Sequence, residues 1–328
     1  MSPKKIVIRT PNWLGDLMMS TAFINEVLRQ FPDSQVDLIV KKGFETIPLP
    51  RRGMIHPFDK EVDPVFGFGK SLVSRAYDRF YVLPPSFSSA LMAFASGSKQ
   101  RIGYRGSLRG LFLNFSKSYA KSHRSQHLVA EYLQLLDDWS ESQKVAPGLD
   151  ISEEWLAKTL EELDFDLPHR FICIAPGAIY GPAKQWPVAH FKSLVDILNA
   201  NNIYTIIIGT GADRQLGDYL SNNANRAENI CGKTNLNQLI AVLAKSTALV
   251  SNDSGTMHIM AALHRPQVAI FGSTSTVWTG PVNDLAEIIK LDIDCSPCFK
   301  RVCPFGHTNC LHEITPDLVW KKLQPIIG

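Results

Sequence analysis

Residues 249–274, LVSNDSGTMHIMAALHRPQVAIFGST, decide the fold class. An apolar run ends at Val250, a polar turn covers 252–255, an apolar helix follows, and a second apolar run starts at Val268. This order of strand, turn, helix and strand is typical of the βαβ units that build parallel sheets. The turn places an acid, a hydroxyl and backbone N–H groups at the start of a helix, where α/β proteins bind anions such as phosphate.

The same alternation recurs elsewhere in the chain. KIVIRT (5–10), a helix and VDLIV (36–40) form a βαβ unit in the first half, and FICIAPG (171–177) restarts the pattern in the second. The strands of the second half are almost wholly apolar, as expected when helices cover both faces of a sheet. We therefore predict an α/β protein with two Rossmann-like domains, 1–165 and 166–328, and a C-terminal helix able to pack back onto the first.

Three segments of the first half are less regular. VFGF (65–68) is predicted to be a strand, and HLVAEYLQLLDDW (127–139) is predicted to be a helix. RRGMIHPFDKEVDP (51–64) shows no clear period. Local pattern therefore predicts this half less completely than the second.

Length and composition are those of a soluble globular protein. The chain has 328 residues, of which 45% are hydrophobic and 20% are charged, and this length accommodates two ordinary domains. No apolar run approaches the roughly 20 residues that a membrane-spanning helix needs. The first apolar run, 6–8, is too short for a signal peptide, so we expect a cytoplasmic protein.

Positive charge is concentrated in the first half, although the net charge is only +3. No Asp or Glu occurs between Asp78 and Glu131, a stretch called the basic window below. Its basic residues are Arg79, Lys99, Arg101, Arg105, Arg109, Lys117, Lys121 and Arg124. This excess indicates an anionic partner, which is a phosphate, an acidic sugar, a lipid surface or nucleic acid. The alternative is a solvated basic face.

Asp16 directly follows Gly15, at the predicted junction of the first strand and the first helix. Aspartate is among the preferred N-cap residues, so one interpretation is purely structural. The other is a general base, since a carboxylate at the mouth of a cleft can take a proton from a substrate hydroxyl. The spacing alone leaves both interpretations open.

Lys184 ends a glycine-rich loop, APGAIYGPAK (175–184). Gly177 and Gly181 permit close approach of the backbone to a ligand, and the lysine can neutralise a diphosphate as a point charge. The loop lacks the Gly-Lys-Ser/Thr triplet of a Walker A motif. In GTGADRQLG (209–217) Arg replaces the third glycine of a dinucleotide fingerprint, so redox chemistry is poorly supported. The alternative for Lys184 is a surface lysine on a flexible loop.

The turn after Val250 contributes further candidates. Asp253 can accept hydrogen bonds from ligand hydroxyls, and the backbone N–H groups of 254–256 can bind phosphate. His258 follows in the first turn of the helix. The alternative is a capping turn that only starts a buried helix.

Four of the six cysteines lie close together in the sequence, at Cys295, Cys298, Cys303 and Cys310. Four thiolates at this density are compatible with a structural zinc ion, although the spacing is tighter than in the usual two-knuckle sites. Disulfides and free thiols are the alternatives, and a cytoplasmic chain argues against disulfides.

Four segments together resemble glycosyltransferase family 9, the ADP-heptose–lipopolysaccharide heptosyltransferases, and within it the heptosyltransferase II group. They are IRTPNWLGDLMMSTAFINEVL (8–28), PGAIYGPAKQWP (176–187), SNDSGTMHIMAAL with RPQVAIFGST (251–274), and CSPCFKRVCPFGHTNCL (295–311). The resemblance covers nearly the whole chain. It implies the GT-B architecture of two facing Rossmann-like domains, with the acceptor bound by 1–165 and the ADP-sugar donor by 166–328.

The resemblance also implies an inverting, metal-independent reaction with no required cofactor. Heptose would pass from ADP-heptose to the first heptose of heptosyl-Kdo2-lipid A, in lipopolysaccharide inner-core synthesis. Asp16 would be the general base and Lys184 would stabilise the departing ADP. The implied donor-binding residues are Gly177, Lys184, Asp253, Ser254, Gly255, Thr256 and His258. We expect Asn12, Arg101 and Arg105 to contact the acceptor.

The basic window lies in the implied acceptor domain, where Kdo carboxylates and lipid A phosphates would meet it. We therefore expect a monomer that docks transiently on the cytoplasmic face of the inner membrane and binds no nucleic acid. Two enzymes remain as alternatives, a heptosyltransferase I acting on Kdo2-lipid A and a nucleotide-sugar epimerase or hydrolase of the same fold. A nucleic-acid-binding protein is a third alternative, but no known recognition motif supports it.

Overall fold

The computed structural model describes residues 2–119, 124–140 and 142–327. The chain divides into two compact units, Met1–Asp150 and Ile151–Gly328. Among the described residues, no helix combines the length and apolar character needed to cross a bilayer. Each unit is built around its own parallel sheet of six strands.

The first unit contains the N-terminal sheet and the helices that cover it. Its strands are β1 (Lys5–Arg9), β2 (Gln35–Lys41), β3 (Ile55–Phe58), β4 (Arg79–Val82), β5 (Gln100–Tyr104) and β6 (Phe115–Lys117). Its α-helices are α1 (Leu14–Gln30), α2 (Val65–Ser71), α3 (Phe87–Ala95) and α4 (Leu128–Leu133). The strands pair in parallel in the order β3-β2-β1-β4-β5-β6, which is the doubly wound Rossmann order.

The less regular segments of this unit differ from their predictions. VFGF starts α2 and is not a strand, because Pro64 begins a helix there and Phe68 packs edge-on against Phe58. The segment 51–64 contains β3, which pairs with β2. The helix predicted over 127–139 ends at Leu133. In these segments tertiary packing overrides the local pattern.

The second unit repeats the topology of the first. Its strands are β7 (Phe171–Ala175), β8 (Tyr204–Ile207), β9 (Ala227–Asn229), β10 (Ala248–Asn252), β11 (Gln267–Phe271) and β12 (Ala286–Lys290). Its α-helices are α5 (Glu153–Glu161), α6 (Val188–Ala200), α7 (Arg214–Ser221), α8 (Leu236–Lys245), α9 (Gly255–Ala262), α10 (Thr276–Thr279), α11 (Asn309–His312) and α12 (Pro316–Ile327). The strand order β12-β11-β10-β7-β8-β9 is again the Rossmann order.

The division between the units falls earlier than the predicted boundary at 165/166. Helix α5 packs on α8, and the side chain of Gln238 donates a hydrogen bond of 2.9 Å to the carbonyl of Glu162. These contacts place α5 in the second unit. At the other end of the unit, α12 buries Val319, Leu323 and Ile327 in the second core, so its apolar face serves the second unit.

The central strands of each sheet locate the place where ligands bind in this topology. In doubly wound sheets that place is the crevice beyond the carboxyl ends of the strands where the strand order reverses. In the second sheet these strands are β7 and β10, which pair side by side. The loop 176–187 follows β7 and the turn 252–255 starts at the last residue of β10, so the two predicted phosphate-binding segments meet at this point.

Candidate active site

Asn252, the last residue of β10, joins the two segments at the end of the second sheet. Its buried side-chain amide donates to the carbonyl of Pro176 at 2.8 Å and accepts from the backbone N–H of Trp186 at 2.9 Å. The indole of Trp186 is fully buried and donates to the carbonyl of Ile314 at 2.8 Å. Both ends of the loop 176–187, called the glycine loop below, are therefore fixed to the core.

Lys184 and Asp253 form a direct ion pair within this anchored arrangement. Nζ of Lys184 lies 2.5 Å from Oδ2 of Asp253, and the side chains are only 14% and 4% exposed. Oγ1 of Thr274 donates to the same carboxylate oxygen at 2.6 Å. Since an unpaired charge is costly to bury, each ion helps to hold the other in place. Lys184 is therefore not a surface lysine on a flexible loop.

The start of α9 lies directly after Asp253 and retains unused hydrogen-bonding capacity. Ser254 is the N-cap residue, but its side chain makes no capping hydrogen bond. Its Oγ is buried and, within the described part of the chain, has no hydrogen-bond partner; the same holds for Oγ of Ser273. The first backbone N–H groups of a helix also lack intrahelical acceptors. Ser254, Gly255 and Thr256 thus form a place suited to an anion.

Two other predicted residues occupy positions beside this group. His258 lies in the first turn of α9 and is 5% exposed. Gly177 packs against the carboxylate of Asp213, and a Cβ at Gly177 would lie 2.8 Å from Oδ1 of Asp213. Glycine is therefore required at this position because the backbone lies close to Asp213, and not because it lies close to a ligand.

Asp16 does not cap the first helix. Helix α1 starts at Leu14 with Trp13 as its N-cap, and Asp16 is the acidic residue of its first turn. The capping interpretation was wrong because the helix begins earlier than the sequence pattern indicated. A first-turn carboxylate is stabilised by the helix dipole. Asp16 is partly exposed, and burial and, to a smaller extent, the charge of Asp16 raise the pKa of Tyr132 in α4, so the two side chains lie within electrostatic range of each other.

A buried arginine that the sequence analysis did not identify holds Asn12. Arg9, at the end of β1, is 2% exposed and donates to the carbonyls of Thr10 at 2.7 Å and Ile39 at 3.2 Å. It also donates to Oδ1 of Asn12 at 2.5 Å. Burial lowers the pKa of Arg9 to about 10, so it stays charged at neutral pH. The sequence feature that could have identified Arg9 is a charged residue at the end of an apolar strand.

The predicted acceptor arginines have unequal surroundings. Arg101 donates to the carbonyls of Phe112 and Ser98, each at 2.8 Å. Arg105 is exposed and donates to Oγ of Ser118 at 2.5 Å. Of the remaining basic window, Lys121 lies outside the described residues.

The four late cysteines are free thiols. Backbone N–H groups, that of Thr308 foremost, lower the pKa of Cys303, whereas burial and then the neighbouring cysteines raise that of Cys310 to about 11. Across residues 2–119, 124–140 and 142–327, no three His, Cys, Asp or Glu side chains are arranged to hold a metal ion. The zinc interpretation therefore gains no support.

Comparison with known proteins identifies relatives over nearly the whole chain. The family model described as glycosyltransferase family 9 (heptosyltransferase) matches residues 65–309. The chain is 30% identical to lipopolysaccharide heptosyltransferase 2 of Escherichia coli strain K12, over 98% of both sequences. The structure of E. coli ADP-heptose lipopolysaccharide heptosyltransferase II matches with a TM-score of 0.85 and 29% identity, over 98% of each chain.

A second solved structure extends the comparison of folds. It is E. coli heptosyltransferase WaaC with ADP-2-deoxy-2-fluoro heptose, which matches with a TM-score of 0.75 and 19% identity over 98% of this chain and 99% of that one. At this identity the likeness concerns the fold alone. Together with the two parallel sheets, these structures confirm the predicted GT-B type fold.

Proposed function

Because the chain belongs to glycosyltransferase family 9, the heptosyltransferase family, we propose that it transfers L-glycero-D-manno-heptose from ADP-heptose to the first heptose of heptosyl-Kdo2-lipid A. The observation that carries this proposal is the Lys184–Asp253 ion pair at the start of α9. It combines a held cation with unused N–H and hydroxyl groups, as a sugar diphosphate requires. The enzyme is a glycosyltransferase of lipopolysaccharide synthesis.

The donor half of the reaction requires stabilisation of negative charge on the departing ADP. The transition state resembles an oxocarbenium ion, and charge grows on the diphosphate as the glycosidic bond breaks. The ammonium of Lys184 and the N–H groups of 254–256 supply positive potential at the diphosphate. The proposed reaction therefore needs no metal ion. Asp253 orients Lys184 through Oδ2, and its other oxygen accepts from a heptose hydroxyl. His258 lies beside the diphosphate.

The acceptor half of the reaction requires removal of a proton. In the proposed mechanism Asp16 accepts the proton of the attacking acceptor hydroxyl as that oxygen bonds to the anomeric carbon of heptose. Attack on the face opposite the leaving ADP inverts the configuration at that carbon.

The proposed acceptor also accounts for the charge of the basic window. Kdo carboxylates and lipid A phosphates are anions, and a positively charged surface attracts both them and an anionic lipid leaflet. We propose that Asn12 and Arg105 contact the acceptor, and that the enzyme is a cytoplasmic monomer that visits the inner membrane as a peripheral protein. Arg101 is the weaker candidate, because backbone carbonyls already occupy two of the N–H donors of its guanidinium.

A transfer assay with two acceptors tests the proposal. Incubation of the enzyme with ADP-heptose should transfer heptose to heptosyl-Kdo2-lipid A and not to Kdo2-lipid A. Preference for Kdo2-lipid A would instead identify a heptosyltransferase I. Rapid consumption of ADP-heptose without any acceptor would favour the epimerase or hydrolase alternative.

A further inference from the structure

The aromatic ring of Tyr180, in the glycine loop, lies beside two cations. Nζ of Lys184 is 4.7 Å from the ring centre, and Cζ of Arg301 is 5.3 Å from it. The two cations are therefore no farther apart than the sum of these distances. Cation–π contacts of this kind favour a defined position for each charged group.

Only one of these two cations has a carboxylate partner within the described part of the chain. Asp253 pairs with Lys184, whereas no described Asp or Glu lies within ion-pair distance of Arg301. Arg301 is also exposed, so a ligand can reach its guanidinium. Two cations with one carboxylate leave an uncompensated positive charge beside the start of α9, which an anion would neutralise.

Backbone contacts fix the position of Arg301 independently of its charge. Its carbonyl accepts from the backbone N–H of Ala183 at 3.0 Å, and the hydroxyl of Tyr180 donates to the carbonyl of Phe299 at 2.9 Å. A Cβ on Gly181, whose φ is +147°, would lie 2.6 Å from the carbonyl oxygen of Arg301. Glycine is therefore needed where the two segments touch.

The cysteine-rich segment, 295–310, contacts the other side of the site as well. Phe299 donates its backbone N–H to the carbonyl of Ser273 at 2.7 Å, and Oγ of Ser296 donates to the carbonyl of Gly272 at 2.7 Å. These carbonyls directly precede Thr274, the partner of Asp253. The segment thus bridges the end of β11 and the glycine loop and carries Arg301 between them.

We propose that Arg301 is a second cation for the diphosphate of ADP-heptose, with the ring of Tyr180 positioning it beside Lys184. The inference rests on the proposed function and adds a residue to its donor site. A guanidinium suits this role because its planar N–H groups can bind phosphate oxygens in pairs, which a lysine cannot do.

Calorimetric titration of the full chain with ADP and with adenosine tests the inference. Arg301→Gln should weaken ADP binding about tenfold, as expected for loss of a charge-assisted contact, and leave adenosine binding unchanged. Lys300→Gln is the matched control, since it removes the same charge from the adjacent exposed residue. The control should bind ADP as the wild type does, and Arg301→Lys should lie between the two.

The outcomes separate this inference from the proposed function. If the wild type binds ADP and Arg301→Gln binds it equally well, or if Lys300→Gln weakens it as much, the inference fails and the proposed function stands. A wild type that binds no ADP would overturn both.

Two substitutions at Tyr180 test the positioning part. Tyr180→Phe keeps the ring and loses the hydroxyl's bond to the carbonyl of Phe299, but the backbone bond from Ala183 to Arg301 remains, so ADP affinity should stay near the wild-type value. Tyr180→Leu removes the ring and should weaken ADP binding severalfold, with unchanged thermal unfolding showing that the fold persists. Equal affinities in the two variants would show that the ring does not position the cations.

Discussion

The two units use charged side chains at their strand ends in different ways. In the second unit, Lys184 and Asp253 pair directly beside the start of α9, with hydroxyl and N–H groups left over for a ligand. In the first unit, Arg101 and Lys117 donate to backbone carbonyls of their own unit. A dense run of basic residues in the sequence therefore indicates only a charged region. Two polar motifs that follow adjacent strands of one sheet indicate a ligand-binding site.

Buried acids show the same contrast. Asp253 is 5% exposed and has a cation and a hydroxyl as partners. Glu131 in α4 is 4% exposed, and its Oε1 has no hydrogen-bond partner among the described residues. The first unit thus buries a carboxyl oxygen that has no hydrogen-bond donor among the described residues, and the second unit holds a partnered carboxylate beside its site.

The largest expected effect concerns the one acid of the first unit to which the proposed mechanism assigns chemistry. Asp16→Ala should reduce heptose transfer on the order of 10²–10⁴-fold, the usual contribution of general base catalysis. ADP-heptose affinity should remain nearly unchanged, because the donor residues belong to the second unit. Transfer kinetics and calorimetric titration with ADP-heptose measure the two effects.

Asp16→Asn is the matched control for the shape of the side chain. It keeps a polar group of the same shape in the first turn of α1 and removes the negative charge and the basicity of the carboxylate, so it should be as inactive as the alanine variant. Full activity of Asp16→Asn, or loss of ADP-heptose binding in either variant, would contradict the assignment. Either result would show that Asp16 is not the general base.

The second prediction concerns the stability cost of burying the carboxyl of Glu131. Burial raises the pKa of Glu131 to about 7, whereas an unfolded glutamate has a pKa near ~4.3. Between these values the unfolded chain loses its proton first, so stability should fall as the pH rises from about 4.5 to 7. Glu131→Gln removes this fall, which amounts to up to about 4 kcal/mol.

Thermal unfolding at two pH values measures this effect. The melting temperature of Glu131→Gln should exceed that of the wild type at pH 8 and match it at pH 4. Glu61→Gln, an exposed substitution in the same unit, should change neither value. A wild type whose melting temperature does not fall relative to Glu131→Gln between these pH values would show that Glu131 has a partner when ionised.

The third prediction concerns the loss of the ion pair between Lys184 and Asp253 in the second unit. Lys184→Ala should weaken ADP-heptose affinity or turnover at least tenfold, about 1.4 kcal/mol. It should also destabilise the chain by about 2 kcal/mol, because Asp253 loses its buried partner. Adding Asp253→Asn should restore much of the stability and none of the affinity. Wild-type kinetics in Lys184→Ala would remove that lysine from the site.

Sequence reasoning located the second unit's site because its determinants are local. Strand, loop and helix follow one another within each motif, and parallel pairing of β7 and β10 then brings Lys184 to Asp253. It missed Asn252, whose amide contacts residues of the glycine loop far away in the sequence. Such a contact leaves no local pattern.

The first unit was harder to predict for the same reason. Arg9 acts through carbonyls of a neighbouring strand and through Asn12, and Arg101 through the carbonyls of Ser98 and Phe112. The sequence shows only that these side chains are positively charged. It does not show which backbone carbonyls accept their hydrogen bonds. The cysteine-rich segment was also read for metal ligands, while its backbone contacts with the glycine loop depend on the folded chain.

The smallest expected effect separates the two arginines of the basic window. Arg105→Ala should lower kcat/KM for the acceptor severalfold without a change in melting temperature, and the difference should shrink at high salt because an exposed charge is screened. Arg101→Ala should lower the melting temperature, since two carbonyls lose their donors. The reverse pattern would be a stability loss in Arg105→Ala and an acceptor defect in Arg101→Ala. It would show that hydrogen bonds to backbone carbonyls do not separate structural arginines from substrate-binding ones in this protein.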